Sequence, residues 1–316
     1  MKERALIARL LAPIATHPAA RGLLDDAAVL TPPLGRDLVL THDMLAEGVH
    51  YLPGDPPGDV AHKLLAVNLS DLAAMGARPL GVLLGLGLST REDETWLAAF
   101  TRGLGEACAR WGAPLLGGDT IAGLERAVLG LTAIGQVAPG AALPRGGARP
   151  GDEIWVSGNI GDAGLGLVIA RAPPLKPDAH QARLIEAYRR PEPRLALGQA
   201  LVGVASACMD VSDGLLIDAE RIGAASGVRM TVRLGDVPIS RAAEAAGADR
   251  LALATGGDDY ELLFTTGAGR GGEVAAIGRR VGVRVTRVGA VEMGAGLTMI
   301  GAGGDVIMLA RLGWEH

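Results

Sequence analysis

The residues best equipped for chemistry in this sequence are aspartates that close short apolar runs, most with Gly, Ser or Thr beside them. They are Asp25 and Asp26 in GLLDDAAVL, Asp43 in LVLTHDML, Asp71 in AVNLSDLAAMG, Asp119 in PLLGGDT, Asp210 and Asp213 in CMDVSDGLL, and Asp258 and Asp259 in ATGGDDYELLF. A single aspartate beside a glycine is ordinarily a turn residue or a helix cap. Asp71 resists that reading: on a helix running from Val60 to Met75, positions 64, 68 and 71 share a face, so Asn68 and Asp71 interrupt the stripe that carries Leu64. A carboxylate there lies at a domain surface or is buried with a cation, because burial without a partner is expensive. Asp210 closes the run from Ala205, and strand alternation sets Ser212 on its side. Asp213 reads equally as a cap for the following helix.

Carboxylates at strand ends, with no Cys/His cluster at zinc spacing, suit hard oxygen-seeking cations. Magnesium fits best, since it takes carboxylates together with phosphate oxygens. Gly-flanked loops and a few arginines around such a cation point to chemistry on a polyphosphate, where positioning and charge neutralisation dominate. Arg145 follows an uncharged stretch from Ala127 to Pro144, where it either neutralises phosphate or is a solvated linker arginine. Other routes close. Lys2, Lys63 and Lys176 are the only lysines and none follows a glycine, which excludes a P-loop. Gly267 to Gly272 matches G-x-G-x-x-G, but with 47 glycines in 316 residues roughly one such match arises by chance. It reads as a strand-to-helix turn. No nucleophile elbow or Ser-His-Asp arrangement supports acyl transfer.

The elements that must position these aspartates follow from apolar β-type runs alternating with alanine-rich helical stretches, an α/β (α+β) pattern. Strands are predicted at 37–41, 81–89, 127–137, 153–157, 205–211, 228–234, 260–265 and 283–291. Helices are predicted at 60–75, 92–111, 163–171, 192–205, 214–225 and 273–281, after a short amphipathic helix at the start. The Gly- and Pro-rich segment Pro139–Gly151 is the best boundary, giving domains at 1–148 and 149–316. A hydrophobic content of 49% over this length supports two cores, and a net charge of −5 offers nothing to nucleic acid or an anionic membrane. Cys108 and Cys208 sit in apolar or alanine-rich surroundings, as reduced cytoplasmic thiols do. No segment reads as a signal peptide or membrane span.

The blocks GLLDDAAVL, THDMLAEGVHY, KLLAVNLSDLAAMGA, LLGGDT, LPRGGARPGD, MDVSDGLLIDAERI and TGGDDYELLF, in this order along nearly the whole chain, resemble the thiamine-monophosphate kinases. That family lies in the superfamily of aminoimidazole ribonucleotide synthetase and selenophosphate synthetase. The resemblance implies two α/β domains, with the N-terminal sheets of two subunits joined into a barrel across a homodimer. It also implies ATP-dependent phosphorylation of thiamine phosphate with several Mg2+ ions. By position, Asp26, Thr41, His42, Asp43, Asp71, Asp119, Asp210 and Asp213 correspond to metal ligands. Gly118, Asp119, Arg145 and Ser212 correspond to ATP contacts, and His50, Asp258 and Trp314 fall where the family meets the thiamine moiety. Trp314 could stack on a cationic thiazolium. Small-molecule substrates are therefore expected, in the cytoplasm, without nucleic acid or membrane.

The sequence departs from the family pattern at three places. Leu24 replaces the second glycine of G-x-G-D-D, which predicts a less close approach to phosphate. Thr41-His42-Asp43 replaces Ser/Thr-Thr-Asp, so a side-chain hydroxyl ligand would be lost where a backbone carbonyl would survive. Asp258 replaces a glutamate, one methylene shorter. Two other readings stand beside the kinase: another ATP-dependent enzyme of the superfamily, like aminoimidazole ribonucleotide synthetase, and a non-catalytic metal- and nucleotide-binding dimer.

Overall fold

The computed structural model describes residues 3–301, 303–308 and 312–314. The chain divides into two compact units, Met1–Leu72 with Ala77–Gly140, and Ala73–Gly76 with Ala141–His316. No helix among the described residues is long and apolar enough to cross a membrane.

The first unit holds α1 (Glu3–Leu6), continued as a π-turn to Leu11, then β1 (Asp37–Ala46), α2 (Pro57–Ala74), β2 (Arg78–Ser89), α3 (Glu94–Trp111), β3 (Leu115–Leu124) and β4 (Val128–Val137). The sheet order is β1-β4-β2-β3, antiparallel except for the β2/β3 pair. Helix α2 is buried at every residue from Val60 to Ser70, as a helix apolar on most sides must be. Helix α3 is amphipathic: Leu97, Phe100, Thr101, Leu104, Ala107 and Cys108 make the buried stripe. Asp93 caps it by accepting from the Trp96 N–H, and Gly112 closes it at φ +62°. Strand β3 was not expected. Its Gly117-Gly118-Asp119-Thr120 core has little intrinsic strand preference and is held by its register against β2.

The second unit carries β5 (Glu153–Ser157), α4 (Asp162–Arg171), α5 (Ala179–Arg189), α6 (Leu195–Leu201), β6 (Ala207–Asp210), α7 (Leu215–Ser226) and β7 (Arg229–Arg233). It continues through α8 (Arg241–Ala245), α9 (Arg250–Thr255), β8 (Leu262–Thr266), α10 (Gly271–Val281), β9 (Val285–Glu292), β10 (Gly296–Ile300) and β11 (Val306–Ile307). The sheet order is β11-β10-β7-β9-β5-β8-β6. One apolar cluster includes Ile154, Met209, Leu216 and Val232, and another Trp155, Leu197, Cys208 and Phe264. Helix α5, also unexpected, opens with a capping box between Asp178 and Gln181. Gly267 to Arg270 joins β8 to α10 as a plain turn.

Helices α2 and α3 meet at two glycines. A Cβ on Gly103 would lie 2.6 Å from the Gly58 Cα and 2.7 Å from its carbonyl oxygen. Gly103→Ala should therefore lower stability by about 1–3 kcal/mol in urea denaturation, even though alanine in an exposed helix would gain about 1 kcal/mol over glycine.

Candidate active site

The pleat of β1 sorts the first group of candidates. Thr41 and Asp43 face α2. The Thr41 hydroxyl donates to Asp71 Oδ2, and the Asp43 N–H donates to Asn68 Oδ1 at 2.9 Å. Asn68 is fully buried, and its own amide donates to the Leu64 carbonyl at 2.9 Å. Two carboxylates thus lie beside each other on a partly buried shelf. Burial and the Asp71 charge push Asp43 up to about 6, against a smaller opposing effect of His42.

His42 points to the other face of the sheet, where its Nδ1 lies 2.9 Å from Thr132 Oγ1. There it lines a cavity of about 620 Å³ together with Asp26 and Asp119. The volume is that of a small-ligand pocket. Gly118 lines the same cavity and cannot carry a side chain, because a Cβ would lie 1.9 Å from the Leu84 carbonyl oxygen. Asp25 forms an exposed ion pair with Arg21. Leu24 is 89% exposed at φ −100°, so the missing glycine costs nothing in backbone strain. His50 belongs to this unit too. Its Nδ1 accepts from the Ala46 N–H at 3.1 Å, and its carbonyl accepts from the buried Lys63 ammonium at 3.0 Å.

The second unit brings together Ser212, Asp213, Asp258 and Trp314. The Asp258 N–H donates to the Ser212 carbonyl at 2.8 Å, and the Trp314 N–H to the Asp213 carbonyl at 2.9 Å. Asp210 ends β6 and is buried. Asp213 is not the cap of α7: Gly214 holds that position, with no side-chain bond. Sequence reasoning missed the residue that organises this loop. Asp218, fully buried in the first turn of α7, accepts the Ser212 and Asp213 N–H groups at 3.1 Å each. Arg221, one turn on, bonds Asp218 at 2.7 Å and Asp213 at 2.5 Å. The spacing D-x-x-x-x-D-x-x-R from Asp213 was the available signal. Arg145 is exposed.

The eight proposed metal ligands thus fall into Thr41, Asp43 and Asp71 beside α2, Asp26, His42 and Asp119 at the cavity, and Asp210 and Asp213 in the second unit. Among the described residues, no three His, Cys, Asp or Glu side chains converge on one metal position.

Two domain families match the chain, AIR synthase related protein, N-terminal domain, over residues 24–137, and its C-terminal domain counterpart over 149–301. The two α/β units are therefore those of an AIR synthase-related protein. The chain is 40% identical to the thiamine-monophosphate kinase of Caulobacter vibrioides, over 98% of its own length and 89% of the relative's. It matches the crystal structure of thiamine-monophosphate kinase from Stenotrophomonas maltophilia at TM-score 0.87 and 38% identity, covering 97% of this chain and 98% of that one. A structure described as AaThiL complexed with AMPPCP and TMP matches at TM-score 0.80 and 28% identity, covering 98% and 94%. The chain belongs to the thiamine-monophosphate kinase family, and it is an enzyme of the kinase class.

The raised Asp43 has a measurable sign. A carboxyl held at about 6 when folded, against 3.8 ordinarily, favours folding fully at acid pH, and that contribution is lost as pH rises through about 6. In chelator-treated protein, Asp43→Asn should be more stable than the parent at pH 7.5, on the order of 1–2 kcal/mol, and no more stable at pH 4. Thermal melts of both proteins at the two pH values check it.

Proposed function

We propose that the chain catalyses ATP-dependent phosphorylation of thiamine monophosphate to thiamine diphosphate by direct in-line transfer, using Mg2+, as a cytoplasmic homodimer. The observation that carries this reading is the Asp43–Asp71 pair: two adjacent carboxylates, Asp43 raised by burial and by the charge of Asp71, on a scaffold held by Thr41 and Asn68. Such a donor set fits a hard divalent cation, with phosphate oxygens completing its coordination. Asp26 and Asp119 at the cavity, and Asp210 and Asp213 in the second unit, are assigned the same task. When bound, magnesium supplies charge neutralisation between two phosphate groups that otherwise repel each other.

The chain's own residues orient the reactants. Gly118, in the wall of the cavity, contacts the nucleotide together with Arg145 and Ser212, and His50, Asp258 and Trp314 hold the thiamine moiety. The acceptor is a phosphate oxygen that is already anionic, so no side chain need act as a strong base. The new P–O bond forms at that oxygen as the bond from the γ-phosphorus to the β–γ bridging oxygen breaks, releasing ADP.

The outward row of β1 supports pairing with a second copy. Leu38, Leu40 and Met44 are 43%, 63% and 52% exposed on the face opposite α2, an apolar stripe on an edge strand of the sheet. The buried free thiols Cys108 and Cys208 fit a reducing compartment.

Coupled ADP release should accelerate with thiamine monophosphate and not with thiamine or formylglycinamidine ribonucleotide. Acceleration only by the last would make the chain a synthetase, and by none a binding protein. Asp71→Asn should lower turnover about 100-fold or more while the circular dichroism spectrum stays unchanged. Retained activity would remove Asp71 from the site.

A further inference from the structure

The segment from Gly256 to Leu262 is built with more buried charge than a substrate contact at Asp258 requires. Its backbone is strained twice. Asp258 has φ +71° and Tyr260 φ +51°, left-handed conformations that non-glycine residues keep only where the surroundings impose them. Three backbone bonds tie the segment to the end of β6: Asp258 N–H to the Ser212 carbonyl, Tyr260 N–H to the Val211 carbonyl, and Val211 N–H to the Glu261 carbonyl, each 2.8 Å.

Side chains alternate along it. Asp259 and Glu261 turn inward. Asp259 accepts the N–H groups of Gly161 and Ala163 at the start of α4, at 2.7 and 3.4 Å. Glu261, 5% exposed, takes the Arg194 guanidinium in a two-pronged bond, with Nε at 2.7 Å, and accepts the Ser157 hydroxyl at 2.5 Å. Ser157 Oγ in turn accepts the Leu262 N–H at 2.8 Å. The backbone is shaped around this carboxylate: a Cβ on Gly158 would lie 1.8 Å from Glu261 Oε1. The Tyr260 hydroxyl donates to Asp258 Oδ1 at 3.2 Å.

We infer that Glu261, Arg194 and Ser157 form a clamp of positioning residues that fixes the strained turn and so sets the pose of the Asp258 carboxylate toward the thiamine end of the substrate. The inference rests on the proposed contact between Asp258 and thiamine phosphate. A buried ion pair is a poor source of net stability, since well-packed apolar residues generally do as well. What a two-pronged Arg–carboxylate bond supplies is fixed geometry. The clamp fixes Glu261 and the Leu262 N–H, next in the chain to left-handed Tyr260, while the Ser212 and Val211 carbonyls hold the N–H groups of Asp258 and Tyr260 themselves.

The test is steady-state kinetics on the full chain, varying thiamine monophosphate and ATP separately. Ser157→Ala removes one bond to Glu261, and the paired variant Glu261→Gln/Arg194→Met removes the ion pair without leaving an unmatched charge. The paired variant should raise KM for thiamine monophosphate about tenfold and Ser157→Ala about threefold, with KM for ATP within about twofold of the parent. Arg194→Lys keeps the charge but loses the fork, and should fall between parent and paired variant. Unchanged KM for thiamine monophosphate in Ser157→Ala and Arg194→Lys overturns the inference, as does an equal rise in both KM values. Asp258→Ala separates the two layers. If it raises KM for thiamine monophosphate while the clamp variants do not, only the clamp is wrong. If it leaves that KM unchanged, the assignment of Asp258 to the substrate falls, and the clamp with it.

Discussion

Because β1 is pleated, its successive side chains leave on opposite faces, and in the first unit this separates two kinds of surface. Toward α2 go Thr41 and Asp43, which meet Asp71 and Asn68. Away from α2 go Leu38, Leu40 and Met44, exposed to solvent, and His42, bonded to Thr132 at the cavity. A slip of one residue in the β1/β4 register would exchange the two sets and bury leucines where carboxylates now stand. The buried Asn68 prevents it chemically: its carbonyl oxygen is matched to the N–H of Asp43, and its amide is committed to its own helix at Leu64.

The same period makes sense of His42. A threonine in its place would point into the cavity, not toward Asp43 and Asp71. The His42 ring reaches that pair only through its charge, and any direct ligand it offers there must come from its peptide group, while the ring itself joins Asp26 and Asp119 at the cavity.

Much of this was legible in the sequence because apolar periodicity and polar interruption carry it. Asn68 and Asp71 stood out as breaks in a stripe, and the structure places both against β1. β5 has the expected limits, since EIWVS is a short β-rich run between a turn and a glycine. Where periodicity is silent, pairing decides. β3 and β10 are rich in glycine or short, and they exist because β2 and β7 offer them a ladder. Buried ionic partners were the least legible. Glu261 and Arg194 are 67 residues apart in the chain, and Asp218 and Arg221 look like the solvated face of a helix, whereas the fold buries Asp218 completely and leaves Arg221 half-buried across it. The two units also treat neighbouring carboxylates differently. Burial and repulsion from Asp71 raise Asp43 in the first, whereas Arg221 bridges Asp213 and Asp218 in the second.

In the proposed homodimer, the apolar row on the outer face of β1 would have a consequence in mass action. Surface that is satisfied only by another copy of the chain makes folding and association parts of one equilibrium, so the free energy of the folded state acquires a term in protein concentration. Under the proposed pairing, dilution acts on this enzyme as a mild denaturant, and a melting temperature describes it only when the concentration is stated with it.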